Sequence, residues 1–340
     1  MTSDKVWITW ETQRRSATLA GFLQCKLFVF DIEGFFRYPL CLIKTLVTLL
    51  IHRPKLLFIQ NPSIVLAAFS CLYCSITHTR LIVDRHSNFR LNKPRSGSLP
   101  IWLFMRFHYY SLKNADLTIV TNGFLADLVR KAGGRAAILP DKLPEIPIRN
   151  PAFVKDHIRL LLISSFGSDE PIREVIQAFS MIQSDNCELF ITGNYKKRLS
   201  EIPECLPPKL HLTGFIPDSQ YLHLLTTCDI VLVLTKADYC MLCGCYEAVA
   251  AKKPLITSDK QVLRDYFSGA VFVNNSPESI CQGINEVLQN TGYYKEKSAL
   301  MKLEIEKKWD RYFTDLKTVL HEMFNISIKN EFPPVFVNNS

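Results

Sequence analysis

Glu247 stands in a stretch that is otherwise apolar, among Ala248, Val249, Ala250 and Ala251. A carboxylate on such a helix is costly to bury unless a donor meets it, and a ribose diol is a natural one. The alternative is a glutamate near a helix start, favoured by the helix dipole alone. Gly244, flanked by the small residues Cys243 and Cys245, opens the same predicted helix, Gly244–Ala251. Its first N–H groups and positive end can meet a phosphate. In the first half of the chain, RLIVDRHSNF (Arg80–Phe89) ends an apolar strand with Asp84, Arg85 and His86 in a row. A lone histidine is usually structural, but one at a strand's carboxyl end can meet a ligand, and Asp84 could orient its ring. Thr121 and Asn122 end another strand and offer hydrogen-bonding groups, as does the Asn61–Pro62 step.

Short apolar runs alternate with helical stretches, the pattern of parallel sheets with crossover helices. In the first half the predicted strands are Val6–Trp10, Lys26–Phe30, Leu56–Gln60, Leu81–Asp84 and Leu117–Thr121. Helices are predicted at Ile64–Ser75, Pro100–Lys113 and Phe124–Ala132, the last stopped by Gly133–Gly134. Leu139–Pro151 reads LPDKLPEIPIRNP, with four prolines and no periodicity, as an interdomain linker would. Alternation then restarts. Strands at Arg159–Ser164, Cys187–Thr192, Leu210–Leu212, Ile230–Leu234 and Pro254–Thr257 are interleaved with helices at Pro171–Met181, Ser219–Thr227, Gly244–Ala251 and Pro277–Gln289. A long charged helix across Lys295–Phe324 closes the chain. The expected organisation is an N-terminal Rossmann-like domain over 1–140, a linker over 141–151, a C-terminal Rossmann-like domain over 152–325 that includes the last helix, and a tail over 326–340. Open sheets of this type bind ligands beyond the carboxyl ends of their strands.

Composition agrees with two domains of ordinary globular protein: 340 residues, 48% apolar and 21% charged. The apolar stretches Leu40–Ile51 and Ile64–Ile76 fall short of the roughly 18–20 residues that cross a bilayer. Asp4, Glu11 and the lack of an early apolar run give no secretory leader, so a cytoplasmic protein is expected. The net charge of +8 favours anionic partners, and no nucleic-acid motif accompanies it. Eleven cysteines in such a chain are expected to be reduced. The spacings Cys71–Cys74 and Cys240–Cys243–Cys245 read as small residues at helix contacts rather than a zinc site.

From about Arg159 to Gln289 the chain resembles the nucleotide-binding domain of retaining glycosyltransferases with two Rossmann-like domains, those of glycosyltransferase family 4 and its relatives. EAVAAKKPLI (Glu247–Ile256) follows the second glutamate of that family's signature, and LTGFIPDSQYLHLLTTCDIVLVLT (Leu212–Thr235) and ITGN (Ile191–Asn194) match in order and spacing. The resemblance implies a GT-B fold, with two parallel α/β domains facing across a cleft, and transfer of a sugar from a nucleoside-diphosphate donor to a polysaccharide or glycolipid hydroxyl. It further implies retention of configuration and no cofactor or essential metal, in keeping with the absence of an Asp-x-Asp motif. By the same resemblance Gly214 and Phe215 lie beside the base, Gly193 lets the backbone approach the ligand, Glu247 grips the ribose and His86 contacts the transferred sugar. Thr121 and Asn122 then lie on the acceptor side.

Departures accompany the match. The signature's first glutamate falls on Tyr239, beside Asp238, and the Arg and Lys that clamp donor phosphates fall on Ser165 and Glu170. Replacement cations are Arg14 and Arg15 after the first strand, Arg173, and Lys196–Lys197–Arg198, the last reading more simply as a solvated loop. Two other readings keep the architecture: a nucleotide-sugar epimerase or hydrolase, and a partner subunit with impaired catalysis. Leu40–Ile51, with Lys44, Thr48 and His52 on one stripe, and the basic-aromatic stretch Leu91–Tyr110 suit either ordinary packed helices or a peripheral contact with the inner face of a membrane.

Overall fold

The computed structural model describes residues 4–61, 63–86, 99–147, 157–183, 186–326, 328 and 337–338. Pro62, Ser87–Phe89, most of the loop before Pro100, the end of the proline-rich linker and most of the tail lie outside these. In chain order the first half runs β1 (Lys5–Thr9), α1 (Arg14–Phe22), β2 (Lys26–Val29), α2 (Arg37–His52), β3 (Leu56–Asn61), α3 (Ile64–Thr77), β4 (Arg80–Arg85), α4 (Leu99–Asn114), β5 (Leu117–Val120), α5 (Gly123–Lys131) and β6 (Ala136–Ile138). Then follow β7 (Ile158–Leu162), α6 (Ile172–Ser180), β8 (Cys187–Thr192), a 3₁₀ stretch (Tyr195–Glu201), β9 (Leu210–Gly214), α7 (Asp218–Thr227) and β10 (Ile230–Val233). The rest is α8 (Cys243–Ala250), β11 (Leu255–Ser258), α9 (Gln261–Tyr266), β12 (Val271–Val273), α10 (Pro277–Gln289), α11 (Thr291–Phe324) and β13 (Val337–Asn338).

These elements form two units, Met1–Lys142 with Trp309–Ser340, and Leu143–Lys308. The first has a parallel sheet in the order β13-β2-β1-β3-β4-β5-β6. Strand alternation divides its core. Val6, Ile8, Leu57 and Ile59 face Cys41 and Leu49 of α2 and Leu66 and Cys71 of α3. Trp7, Phe58 and Ile82 face Leu19 of α1, Leu23 just after it and the second half of α11, with Trp7 stacked on Phe58 at 5.4 Å. The last helix therefore does not belong wholly to the second domain. Trp309, Phe313, Leu316 and Leu320 recur at helical spacing and are buried in the first unit's core, where the Trp309 indole donates to Pro140 O at 3.2 Å.

The second unit has the sheet order β12-β11-β10-β7-β8-β9, all parallel. Chain order reverses between β7 and β10, as in a dinucleotide-binding sheet; β10 is a fully buried run of Ile, Val and Leu, and β7 is buried over its last three leucines. Helix α1 takes up residues that read as a loop. Its RRSATLAGF sequence is poorly apolar and its N-cap, Gln13, makes no side-chain capping bond, so no start signal marks it. The short β6, α9 and β12 likewise carry too few residues to show a period.

Candidate functional site

The carboxyl ends of β7, β8 and β9 surround a pocket of about 280 Å³ in the second unit. Its lining includes Ser165, Gly193, Gly214 and Phe215, four residues that the sequence singles out, together with Thr192, Asn194, Lys197, Asp218 and Tyr221. Gly193 is what lets these strand ends converge. It has φ +105°, and a Cβ there would lie 2.2 Å from Ser164 O. Its N–H donates to Gly214 O at 3.1 Å, across a register shift between β8 and β9. No residue with a side chain could hold that approach. Phe215 sits on the rim with 90% of its surface exposed, an aromatic face open to a planar partner.

Glu247 reaches this neighbourhood through Tyr221. It is half-buried on α8, and the Tyr221 hydroxyl, itself a pocket-lining group, donates to Glu247 Oε2. Ala248, Val249 and Ala250 are buried around it, which leaves the carboxylate as the polar side of an apolar helix. At the start of α8, Leu242 supplies no side-chain cap. Gly244 faces inward: a Cβ would lie 3.0 Å from Val233 Cγ1 and 3.1 Å from Ile163 Cγ2. Glycine therefore seats the helix closely on the strands, while Cys243 beside it is exposed. That exposure departs from a buried role for the Cys240–Cys245 group, in which only Cys245 is fully buried.

The loop after β7 is closed by its own acid. Glu170 accepts from the N–H groups of Ser165 and Gly167, at 3.1 and 3.0 Å, and from the hydroxyls of Ser164 and Ser165, at 2.7 and 3.0 Å. Converging N–H and O–H donors of this kind form an anion-binding concavity, here filled from within. Arg198 reinforces the loop by donating to Gly167 O and Glu170 O, and Asp169 accepts from Thr235 Oγ1 at 2.7 Å. The cluster Lys196–Lys197–Arg198 is thus not simply a solvated loop: Lys197 lines the pocket and Arg198 buttresses it. Tyr239 is half-buried. Burial, with Cys240 and Asp238 nearby, raises its phenol above the ordinary value.

In the first unit the candidate residues form a buried charge network. Arg15 Nε donates to both Asp84 oxygens at 3.0 Å, Nη2 donates to Asp84 Oδ1 at 2.8 Å and to Leu139 O at 2.9 Å, and Nη1 reaches Asp141 Oδ1 at 2.7 Å. All three guanidinium nitrogens are engaged inside the unit, which corrects the expectation of Arg15 as a free phosphate grip. Burial pushes the Asp84 carboxyl up, but the Arg15 charge, His86 and the hydrogen bonds from Arg15 together outweigh it and hold the group at about 2. Conversely, burial lowers the Arg15 guanidinium while Asp84 and Asp141 raise it further, so it stays charged. Arg14, the preceding residue, is exposed on the first turn of α1.

His86 follows β4, and its Nδ1 lies 3.5 Å from Asp84 Oδ2, at the limit of hydrogen-bond range and without the alignment of a formed bond. Next to it the buried Arg85 contacts His108 Nδ1 at 3.1 Å and Ser111 Oγ at 3.2 Å. Burial, then Arg85, lowers the His108 imidazole to about 4. Thr121 and Asn122 are both buried. Asn122 Oδ1 caps α5 by accepting from Leu125 N at 3.0 Å, and its Nδ2 lies 3.4 Å from Thr121 Oγ1. Among the described residues no group of three His, Cys, Asp or Glu side chains is placed to hold a metal ion.

Tyr221, Asp218 and Asp141 escape sequence reasoning, whereas Lys197 belongs to a cluster that the sequence names as a candidate cation but reads more simply as a solvated loop. Tyr221 alone carried a signal, one turn into helix 218–227 directly after the Gly-Phe step.

Residues 147–304 match the family model for glycosyl transferases group 1. Among curated proteins no sequence matches the chain. Similar solved structures include sucrose-phosphate synthase from Thermosynechococcus elongatus, with 12% identity, a TM-score of 0.74, and coverage of 94% of this chain and 99% of that one. HepE from Anabaena, solved in complex with UDP, has 12% identity, a TM-score of 0.73, and coverage of 95% and 100%. A glycosyltransferase from Rickettsia africae has 11% identity, a TM-score of 0.69, and coverage of 96% and 100%. At such identities the likeness is one of fold, and the fold is GT-B.

Proposed function

We propose that the chain is a glycosyltransferase that takes a sugar from a nucleoside-diphosphate donor held by its second unit. The acceptor is a polysaccharide or glycolipid hydroxyl, transfer retains the anomeric configuration, and no metal takes part. The observation that carries this reading is the pocket at the ends of β7, β8 and β9, built within the segment that matches glycosyl transferases group 1 and lined by Ser165, Gly193, Gly214 and Phe215. HepE has also been solved with UDP-glucose, which favours a uridine donor.

In this reading the Phe215 ring stacks on the base, and Gly193 lets the backbone approach the ligand. Glu247 accepts from the ribose hydroxyls, with the Tyr221 hydroxyl fixing its orientation. Amides at the start of α8 and the Lys197 ammonium stabilise the leaving diphosphate. His86 is the catalytic residue, a polar contact to the transferred sugar, and Asp84 orients it.

Glu170 favours a second reading. Its carboxylate fills the N–H cluster of the first loop, where a bound phosphate would find a like charge. On that reading the chain binds nucleotide as a partner subunit without turnover. A thermal-shift panel of UDP-, GDP- and dTDP-sugars, followed by product analysis with acceptors, separates the two. At least one donor should raise the melting midpoint, and Glu247→Ala should reduce that rise while leaving the ligand-free midpoint in place. No shift with any donor defeats both readings. A shift without transfer supports the second.

A further inference from the structure

Helix α2 is inverted relative to ordinary amphipathic packing. Its inward side buries Cys41, Thr45, Thr48 and Leu49, with Thr45 accepting from the Trp10 indole at 2.9 Å. Its outward side presents Phe36, Leu40, Ile43, Val47, Leu50 and Ile51, each 45–65% exposed. These positions recur every three to four residues, so they form one continuous stripe. Two threonines are inside and an isoleucine-leucine-valine row is outside, the reverse of the usual partition. Scattered exposed leucines are ordinary; a contiguous stripe marks a surface that something covers.

The stripe is not isolated. Phe35, 93% exposed, precedes it, and Leu72 and Ile76 are exposed on α3, which touches α2 through Tyr73 Oη and Leu49 O at 3.3 Å. Beyond α3, α4 exposes Trp102 and Phe107, and Arg106 lies 5.3 Å from the Trp102 ring. None of the three helices contains an aspartate or glutamate. Lys44, Arg53 and Arg106 are exposed among the apolar side chains, whereas Arg37 is matched by Glu11 at 2.9 Å and Asp31 and Glu33 lie before the stripe begins. Apolar side chains bordered by cations and aromatics, without acids, are what an interfacial helix needs on anionic headgroups. At 16 residues α2 extends about 24 Å, too short to span, so it would lie in the plane of the surface.

We propose that the outward layer formed by α2, α3 and α4 of the first unit docks on an anionic phospholipid bilayer, with Ile43, Val47 and Leu50 entering the headgroup boundary and Lys44 and Arg53 meeting lipid phosphates. The proposal is independent of what the second unit's pocket binds.

Co-sedimentation of the full chain with vesicles tests it, comparing phosphatidylcholine alone with phosphatidylcholine and phosphatidylglycerol in equal parts. Binding should require the anionic lipid and weaken as salt rises from about 0.1 to about 0.5 M. The double variant Ile43→Glu/Leu50→Glu should lose at least ~10-fold in vesicle affinity with its melting midpoint unchanged. Lys44→Gln/Arg53→Gln, which leaves the apolar stripe intact, should lose severalfold and flatten the salt dependence. If the first pair unfolds the chain, the second pair decides. Failure to bind anionic vesicles, or wild-type affinity in the decisive variant, overturns the proposal. So does a dimer in sedimentation velocity that Ile43→Glu dissociates and that binds no vesicles, since the occupant would then be a second copy.

Discussion

Each of the two units has its own parallel sheet, and they use the carboxyl ends of these sheets in opposite ways. In the first, the groups at these ends turn on one another: Arg15, Asp84, Asp141 and Leu139 O close a buried ion cluster, and Arg85, His108 and Ser111 a second buried polar group. In the second unit the strand ends carry glycine, hydroxyls and an exposed aromatic ring around an open pocket. Charge buried in the one fixes a scaffold; polarity left open in the other can meet a ligand. Glu170 is where the second unit behaves like the first.

The comparison breaks most directly at Asp84. Asp84→Ala leaves the Arg15 guanidinium buried with only Asp141 as a carboxylate partner, and breaking a buried pair from one side costs about 3–5 kcal/mol. Urea unfolding followed by circular dichroism should show that loss, with any nucleotide-induced thermal shift of the second unit intact. A cost below about 1 kcal/mol would mean that the cluster is not what holds these strand ends.

A smaller effect separates the units by pH. The His108 imidazole titrates at about 4 when folded and near its ordinary value when unfolded, so the unfolded chain binds the extra proton first. Stability should fall as pH drops from about 6.5 to about 4, by up to about 3 kcal/mol, and His108→Phe should flatten that slope. Asp84 adds its own loss only lower, as pH falls from its unfolded value near 4 toward about 2. A wild-type slope in His108→Phe would place the titration elsewhere.

What could be read in advance follows from how local the signal is. The strands show as apolar runs and Glu247 stands out as a carboxylate in an apolar helix, whereas Gly193 and Gly214 are marked only by the resemblance to the glycosyltransferase family. Arg15 and Asp141 are 126 positions apart, and nothing in either neighbourhood announces the pair. The stripe Trp309, Phe313, Leu316, Leu320 is plain in the sequence, but periodicity says which residues are buried and not in which core. Tyr221 follows the same rule: α7 is legible, while its contact with Glu247 depends on how α7 and α8 come together. The inversion of α2 was hidden for a related reason: Lys44, Thr48 and His52 share one stripe in the sequence, but Thr48 is buried and Lys44 exposed, and periodicity does not say which stripe faces in.

Within the second unit, Glu247→Ala should weaken UDP binding by ten- to a hundredfold, about 1.5–3 kcal/mol for a charged hydrogen-bonding group, without a change in stability. Tyr221→Phe should follow in the same direction by less, since it removes only the group that orients the carboxylate. Calorimetry with UDP reads both. Equal affinity in Glu247→Ala would reduce that residue to a helix-start glutamate paired with a tyrosine.

The finest distinction rests on Glu170→Gln. This change keeps an oxygen to accept from Ser165 and Gly167 but removes the negative charge from the loop, so the local fold should persist. If the donor's phosphates approach this loop, each carries a like charge toward the carboxylate. At roughly 7 Å and an effective dielectric between about 20 and 80 the repulsion is about 0.6–2.4 kcal/mol. UDP affinity should therefore rise about three- to fiftyfold in Glu170→Gln and be less sensitive to salt, while uridine, which has no phosphate, should bind as before. A gain shared equally by uridine would point to loop rearrangement rather than charge. Unchanged affinity for both would place the phosphates away from β7, at the start of α8, and would make the filled loop a structural feature of the same kind as the Arg15 cluster.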